Sequence, residues 1–475
     1  MQHTANSYEA VTKYDVLKGY LEHFREVSKN NEIPGLLSFF FIQGQAALPY
    51  VRIPMGGSNL DPRVSVFWIQ DTRTGKSVAY ETIEKVMRDA GLTATDCSVG
   101  TDAAMVGSFT KDGKDDPPRP QYGVLKGRKG LNFDEGSILL KPSQHSENLV
   151  LFLQTALNAA GTGRNRLVKH MKDGTLDYLS YVSLWITTYP PDGIKDYVLD
   201  KGIFQRVLLY WRNWTIDMKK DIAYQLADSL YEKADFTMDY QTIVDHFTEL
   251  DTRLRLRMLS VLGISATEWN EMAENEEDSI SEAERKTLAR EELAMAARYK
   301  MFEIDGSYKP ALIDAIDSYY SLVENMDAKK QGICTSFIMG LQNYTNVLAH
   351  HMAMIEGVWT IRGDHVDMAR EILHDLYKNL LHWLEEEVKV GMSKGDMEAQ
   401  MKQWKEAMSR CEKIDIENKG PGWVRKKDLF DAYGQINNLS SNASINNRFN
   451  VHSSMFRTTK VNARVYVQLK KEGMS

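Results

Sequence analysis

The tripeptide Gly75-Lys76-Ser77 combines residue types whose spacing suits the binding of phosphate groups. The apolar segment 64–69 before it predicts a buried strand, and residues 77–90 after it have the apolar spacing of a helix. Between a strand and a helix, backbone N–H groups bind phosphate oxygens, a lysine reaches the β- and γ-phosphates, and a serine hydroxyl binds Mg²⁺. We therefore predict that ATP and Mg²⁺ bind to a loop formed by Gln70, Asp71, Thr72, Arg73, Thr74, Gly75, Lys76 and Ser77.

One position of this loop departs from the usual pattern. The pattern G-x-x-x-x-G-K-[ST] begins with glycine, and this chain has Gln70 there. An ordinary surface turn that happens to contain Gly-Lys-Ser is therefore the alternative interpretation. The predicted strand before the loop and the predicted helix after it favour phosphate binding, because the motif requires that context.

Two adjacent carboxylates, Asp134 and Glu135, follow the apolar residues Leu131 and Phe133. Transfer of a phosphoryl group to water needs a carboxylate near Mg²⁺ and a group that positions the attacking water. We predict that Asp134 binds the metal and that Glu135 is the general base. An ordinary acidic turn at the end of a strand is the alternative, because Asp-Glu pairs are common.

Two further elements complete the predicted site. Residues 181–188 predict a strand that ends in Thr187 and Thr188, whose hydroxyls suit a contact with the γ-phosphate or the attacking water; the alternative is that they are β-branched strand residues. In the element 202–206, Arg206 is predicted to act as an arginine finger on the nucleotide of a neighbouring subunit. A surface or salt-bridge role is the alternative for a single arginine. The rival candidates for the finger are Arg164 and Arg166.

These motifs, in this order, resemble the helicase-like P-loop ATPases that phages and plasmids encode, and the resemblance covers residues 30–475. Residues 343–369 are similar to the lid of AAA+ replicative helicases, although Gln342 and Asn343 stand where such lids often carry a sensing arginine. The resemblance implies an ATP-dependent DNA helicase that translocates on single-stranded DNA as a homo-oligomeric ring, a hexamer. No primase motif is evident, so a primase would be a separate chain.

The predicted fold class is α/β, with strands alternating with helices in the first half of the chain. The predicted organisation comprises an N-terminal helical segment at 1–50, a three-layer P-loop ATPase core at 51–215, an α-helical lid domain at 216–418 and a winged-helix-like module at 423–475. Within these segments, residues 8–30 predict one helix, and Pro34 is predicted to interrupt regular secondary structure after this helix. Residues 112–130 predict a loop, and Gly420-Pro421-Gly422 predicts a linker.

The C-terminal segment 423–475 is basic, with nine basic residues and three acidic ones, whereas the whole chain has a net charge of -7. A predicted helix at 425–433 and a predicted strand at 464–469 resemble a winged-helix module whose basic surface contacts DNA phosphates. A solubilising cap on the helical domain is the alternative. The predicted DNA contacts are Arg425, Lys426, Lys427, Arg448, Arg457, Lys460 and Arg464.

Composition excludes several other classes. No apolar run approaches the roughly 18 residues of a membrane span, and the N-terminus has no signal-peptide core, so we expect a cytoplasmic protein with no membrane partner, in the host cytoplasm if the chain is phage-encoded. The three cysteines are widely separated and predict neither a disulfide framework nor a metal site. His350 and His351 are adjacent in a predicted helix and point to different faces, so they form a poor metal pair.

Two other functions remain open at this stage. One is an ATP-switched replication initiator or helicase loader, which would bind DNA or a partner without unwinding. The other is a helical interaction scaffold that does not hydrolyse ATP, a reading supported by Gln70 and by the missing lid arginine.

Overall fold

A computed structural model describes residues 5–97, 101–111, 116–134, 136–140, 147–190, 202–229, 236–271, 280–326, 328–384, 394–416, 419–436, 445, 449, 456–461 and 464–469. The chain divides into two compact units, Met1–Val390 and Gly391–Ser475.

The first unit contains fourteen described helices after a short 3-10 turn at Ala5–Ser7. These helices are α1 (Glu9–Lys13), α2 (Asp15–Val27), α3 (Glu32–Ala47), α4 (Lys76–Asp89), α5 (Asp102–Met105), α6 (Ser137–Leu140), α7 (Glu147–Ala156), α8 (Ile216–Ser229), α9 (Tyr240–Leu262), α10 (Ala266–Glu271), α11 (Ile280–Ala297), α12 (Tyr308–Ser321), α13 (Ala328–Glu356) and α14 (Gly363–His382). None of the helices in the described ranges is both long and apolar enough to cross a lipid bilayer.

The strands of the first unit are β1 (Ile53–Met55), β2 (Ser58–Leu60), β3 (Val66–Gln70), β4 (Ala94–Cys97), β5 (Gly107–Thr110), β6 (Arg119–Tyr122), β7 (Gly127–Phe133), β8 (Arg166–Met171), β9 (Gly174–Thr188), β10 (Leu208–Arg212), β11 (Glu303–Ile304) and β12 (Thr360–Ile361). The central sheet has the order β10-β3-β9-β7-β4, and these neighbours are parallel. β8 pairs antiparallel with the first half of β9.

The strand order brings the carboxyl ends of three strands together. β9 lies between β3 and β7, with Ile186 in register with Phe67 on one side and with Phe133 on the other. Because parallel strands end at the same edge of a sheet, the loop after β3, the residues after β7 and the end of β9 are neighbours. We call this the carboxyl edge of the sheet, and the opposite side the amino edge.

Helices flank this sheet, as the predicted α/β class requires. Every residue of β3 is buried, which agrees with a strand that is covered on both faces. α3 contacts β3 and β7, α7 contacts β9, and α14 contacts β10. The predicted fold class is therefore confirmed as an α/β unit with a parallel sheet flanked by helices.

Three local predictions in the first unit were wrong. Tyr14 has an extended backbone, with φ -111° and ψ 107°, and divides the predicted helix 8–30 into α1 and α2. Pro34 does not interrupt regular secondary structure, because it lies in the first turn of α3, where a helix needs no backbone N–H. The predicted loop 112–130 contains β6 and the beginning of β7; β6 is stabilised by its antiparallel pairing with β5.

The second unit contains α15 (Lys394–Ser409), β13 (Ile414–Ile416), β14 (Gly420–Arg425), α16 (Lys426–Ile436), β15 (Phe456–Val461) and β16 (Arg464–Leu469). Its sheet has the order β13-β14-β16-β15. Trp404 of α15 stacks on Tyr433 of α16 with ring centroids 3.6 Å apart, so α15 packs in the second unit although its sequence was assigned to the lid domain. Gly420-Pro421-Gly422 is the first half of β14 and not a linker.

Candidate active site

The loop between β3 and α4 is folded by residues with unusual backbone conformations. Gly75 has a φ of 92° and occupies the position just before α4, and Arg73 has a φ of 61°. A side chain at position 75 would meet Ser28 Oγ at 2.9 Å, so this position needs glycine for space as well as for conformation. Lys76 and Ser77 follow in the first turn of α4, where the backbone N–H groups have no partner inside the helix.

The loop is held from outside by two residues of the α2–α3 connection. Ser28 Oγ donates a hydrogen bond to the carbonyl of Gly75 at 3.0 Å. Asn31 Nδ2 donates to the carbonyl of Thr74 at 2.7 Å and to Ser28 Oγ at 2.9 Å. Both side chains belong to residues that are fully buried, so these bonds are shielded from water. Sequence reasoning missed them, because no motif links residues 28 and 31 to a loop more than forty positions away.

Gln70 has a structural role at the position where the usual motif has glycine. Its side chain is buried, accepts a hydrogen bond from Trp68 Nε1 at 2.8 Å and donates from Nε2 to Asn31 Oδ1 at 2.9 Å. A second contact from Nε2 reaches the carbonyl of Thr74 at 3.3 Å. The amide therefore braces the loop together with Asn31, and it does not line the cavity that the loop encloses.

Lys76 extends over the base of the loop. Its ammonium donates hydrogen bonds to the carbonyl oxygens of Gln70 at 2.5 Å and Asp71 at 2.6 Å. Asp71 is held in turn by an ion pair with Lys219 of α8 at 2.6 Å. Carbonyl oxygens are neutral partners, so an anionic phosphate would compete well for the ammonium.

The acidic residue predicted to bind metal lies across the loop, at the end of β7. Thr187 Oγ1 donates a hydrogen bond to Asp134 Oδ1 at 2.7 Å. Gly136 N donates to the carbonyl of Thr187 at 2.8 Å, and a side chain at position 136 would collide with Ile186. The residues on either side of Glu135 are thus fixed to the end of β9, while Glu135 itself lies outside the described residues.

A cavity of about 330 Å³ opens between these elements. Six of the eight predicted loop residues line it, from Thr72 to Ser77, and Asp134 and Thr188 line its other side. The donor set fits a magnesium–phosphate group: Ser77 and Asp134 are exposed and offer hard oxygen atoms, and Lys76 offers a positive charge. The remaining lining residues are Val78 and Tyr189.

The three candidate arginines lie away from the cavity of their own chain. Arg206 precedes β10, whose first residue pairs with the first residue of β3, so it belongs to the amino edge. Its guanidinium donates to the carbonyl of Gly202 at 2.8 Å and to Asn158 Oδ1 at 3.2 Å, and burial lowers its pKa. Arg166 is exposed and paired with Asp177 at 2.6 Å. Arg164 is exposed. A role of any of them on a neighbouring subunit stays a prediction.

In the second unit, most of the predicted DNA contacts are described. Lys427, Arg457, Lys460 and Arg464 are exposed, and the last three lie on the β15–β16 hairpin. Arg425 ends β14, and the ammonium of Lys426 lies 4.5 Å from the ring centroid of Phe449. Arg448 lies outside the described residues.

No protein-family model matches this chain, and no curated protein sequence is significantly similar to it.

Proposed function

We propose that this protein binds ATP with Mg²⁺ at the carboxyl edge of its central sheet and hydrolyses it. One observation carries the proposal: Asp134, which is far from Lys76 and Ser77 in sequence, lines the same cavity as these two residues. A strand-to-helix loop with a lysine and a serine, facing a carboxylate on another strand end, is the arrangement that phosphoryl transfer requires. Ligands of open α/β sheets also bind outside the carboxyl ends of the strands.

The proposed roles follow from the contacts. Ser77 and Asp134 would hold the metal, and the Thr187 hydroxyl orients Asp134 through their 2.7 Å hydrogen bond. Lys76 would exchange its carbonyl partners for phosphate oxygens. Thr188, which lines the cavity, would contact the γ-phosphate. Glu135 remains our proposal for the base that activates water.

The wider proposal is that hydrolysis drives movement along single-stranded DNA, as in a replicative helicase of phage or plasmid type. The helices α13 and α14 pack together, and α14 contacts β10 beside β3, which supports a lid role for this pair. The order helix, two strands, helix and hairpin in the second unit, with basic residues exposed on the hairpin, supports a winged-helix module that contacts DNA. A ring of copies, a hexamer in the resembled group, would complete each site with an arginine from the next subunit.

The central test compares Lys76→Ala with Lys220→Ala, measured by ATP turnover and by Mg²⁺-dependent ATP binding. Lys220 is an exposed lysine of α8, next to the residue that pairs with Asp71, and it does not line the cavity. Lys76→Ala should lower turnover roughly 1,000-fold, because a charge on the phosphates is lost in the transition state. Lys220→Ala should hydrolyse ATP normally. Normal turnover by Lys76→Ala would refute the site.

One further variant separates the role of Glu135 from the roles of the phosphate-binding residues. Glu135→Gln should bind ATP and fail to hydrolyse it, because metal and lysine still hold the phosphates while the water loses its base. If this variant loses binding and turnover together, Glu135 is not the base. A strand-displacement assay then distinguishes a motor from an initiator or loader, and the absence of any turnover in the wild-type chain would favour a scaffold.

Mixing of variant subunits tests whether Arg206 acts on the nucleotide of a neighbouring subunit. Neither Arg206→Ala nor Lys76→Ala should hydrolyse ATP alone, and a mixture should regain activity at interfaces that combine intact Arg206 with intact Lys76. Full activity of Arg206→Ala by itself would show that Arg206 has only a structural role, through its contacts with Gly202 and Asn158. Arg164 or Arg166 would then be tested as the arginine finger.

A further inference from the structure

A second cavity of the first unit has a volume of about 1120 Å³ and lies at the amino edge of the sheet. It is bounded by the beginning of β7, by residues 177–181 of β9, by α11 and by the chain that follows α3. Arg128 and Asp134 lie at opposite ends of β7, about 20 Å apart along the strand. The cavity is therefore separate from the proposed ATP site and lies at the other end of the same strands.

Positive charge dominates the lining of this cavity. Six basic side chains line it, against three acidic ones, in a chain whose net charge is -7. The acidic residues are Asp177, Glu291 and Glu292. The basic residues are Arg52, Lys126, Arg128, Arg166, Arg290 and Arg298. A local excess of positive charge in an acidic protein favours an anionic ligand.

Two of these arginines have unused hydrogen-bonding capacity. The guanidinium of Arg128 is exposed and forms no hydrogen bond or ion pair with any residue in the described ranges. Arg52 is buried; its Nη1 donates to two backbone carbonyls, but its Nε has no partner within the described part of the chain. A buried donor without a partner is uncommon in folded proteins. Arg166, in contrast, is already held by Asp177.

The positions of the charges suit an extended ligand. Arg290 lies on α11 and Arg298 directly follows its last residue, about 12 Å further along the helix axis, and Arg128 approaches from the sheet. The phosphates of one nucleotide would need converging cations, whereas the phosphates of a strand repeat along its length. The cavity also exceeds the roughly 300–1,000 Å³ of typical small-molecule sites. Apolar residues such as Leu179 and Met295 line it and would contact base faces.

We propose that this cavity binds a segment of single-stranded nucleic acid, with its phosphates on Arg128, Arg290 and Arg298 and its bases against the apolar lining. The choice of nucleic acid as the ligand rests on the proposed function, since a DNA motor must hold its strand. The site is distinct from the basic surface of the second unit, and no part of the ATP cavity belongs to it.

The test compares Arg128→Glu with Lys309→Glu in the full chain. Lys309 is an exposed residue of α12 that lines neither cavity, and both substitutions change the charge by the same amount. Binding of a labelled single-stranded DNA oligonucleotide is measured by fluorescence anisotropy at several salt concentrations. Arg128→Glu should weaken binding about tenfold and reduce the salt slope by about one, because one phosphate contact is lost. Lys309→Glu should bind as the wild type does.

Cross-linking locates the contact independently. A wild-type chain cross-linked to a thiothymidine-containing oligonucleotide should give modified peptides from residues 126–129 and 285–298. Equal affinities of the two variants, or cross-links confined to residues 423–475, would overturn the proposal. ATP binding, measured on the same samples, keeps the two proposals apart: a wild-type chain that binds DNA through Arg128 but binds no ATP refutes the proposed function and retains this site.

Discussion

A buried ion pair at the amino edge of the central sheet contrasts with the accessible charged groups at the carboxyl edge. At the amino edge, Arg63 and Asp61 form a buried ion pair at 2.7 Å. All five N–H groups of the Arg63 guanidinium are used, because it also donates to the carbonyls of Ala156, Val182 and Asn158. Burial alone would raise the pKa of Asp61, but the charge and hydrogen bonds of Arg63 lower it.

At the carboxyl edge, the polar groups are accessible or bond to groups that a ligand can replace. Ser77 and Asp134 are exposed, and the Lys76 ammonium bonds to backbone carbonyls that a phosphate would replace. The comparison shows that a charged group whose hydrogen bonds are all satisfied within the chain stabilises the fold. An accessible charged group whose partners can be exchanged is suited to binding a ligand. This comparison predicts that substitutions in the buried Asp61–Arg63 pair affect stability and that substitutions at the carboxyl edge affect nucleotide chemistry.

The largest effect is expected from Arg63→Ala. It leaves the Asp61 carboxylate buried without its partner and should lower the free energy of unfolding by about 3–5 kcal/mol, measured by urea denaturation. Arg166→Ala is the control, because the exposed pair with Asp177 should contribute about 1 kcal/mol or less. Equal losses in the two variants would contradict the distinction between a saturated buried pair and an exposed one.

Asp134→Asn is expected to impair ATP hydrolysis and to leave the stability of the fold almost unchanged. ATP hydrolysis should fall roughly 100-fold and need more Mg²⁺, because the neutral amide binds the metal weakly. The unfolding free energy should hardly change, since Asp134 is exposed. Asp217→Asn, at an exposed acid in the first turn of α8, should alter neither property. A large loss of stability in Asp134→Asn, with hydrolysis unchanged, would make Asp134 a structural residue.

Asn31→Ala tests whether a buried residue can contribute both to the stability of the fold and to nucleotide binding. Removing the amide leaves the Thr74 carbonyl and Gln70 Nε2 short of partners and should cost about 1–3 kcal/mol of stability. Because those bonds hold the loop, ATP affinity should fall as well, by about tenfold. Asn165→Ala is the matched control: this buried amide donates to the Ser180 carbonyl at the β8–β9 hairpin. It should lose comparable stability and keep its ATP affinity.

The sequence was sufficient for the local features of the site but not for its long-range ones. The strand before Gly75 and the helix after it were predicted, because apolar periodicity is a local signal. The β8–β9 hairpin was missed although Asp173-Gly174 is a turn signal between two strands. The brace formed by Asn31 and the cavity around Arg128 depend on contacts between distant segments, and residue spacing carries no information on them.

The smallest expected effect is on the pH dependence of the free energy of unfolding, and it involves two histidines near the amino edge. His351 and His350 are buried side by side on α13, and burial lowers the pKa of each to about 4. His351 Nε2 contacts the carbonyl of Pro62, between the two members of the buried ion pair, at 2.8 Å, and His350 Nδ1 contacts the carbonyl of Asn346. These contacts and the low pKa values agree with neutral rings in the folded protein.

The direction of the pH effect follows from these values. In the unfolded chain a histidine has a pKa of about 6.5, so below that pH the unfolded state binds protons that the folded state excludes. The stability is therefore complete above about pH 6.5 and decreases as the pH falls towards 4. Between pH 7 and pH 6 the two histidines together should lower the free energy of unfolding by about 1 kcal/mol. Urea denaturation should show that His351→Gln lacks the share of this contribution that comes from His351, about half of it, while His170→Gln, at an exposed ring on β8, retains all of it. A pH dependence that is the same in His351→Gln as in the wild type would mean that the ring binds protons equally in the folded and unfolded states, and the amino edge would then tolerate a buried charge.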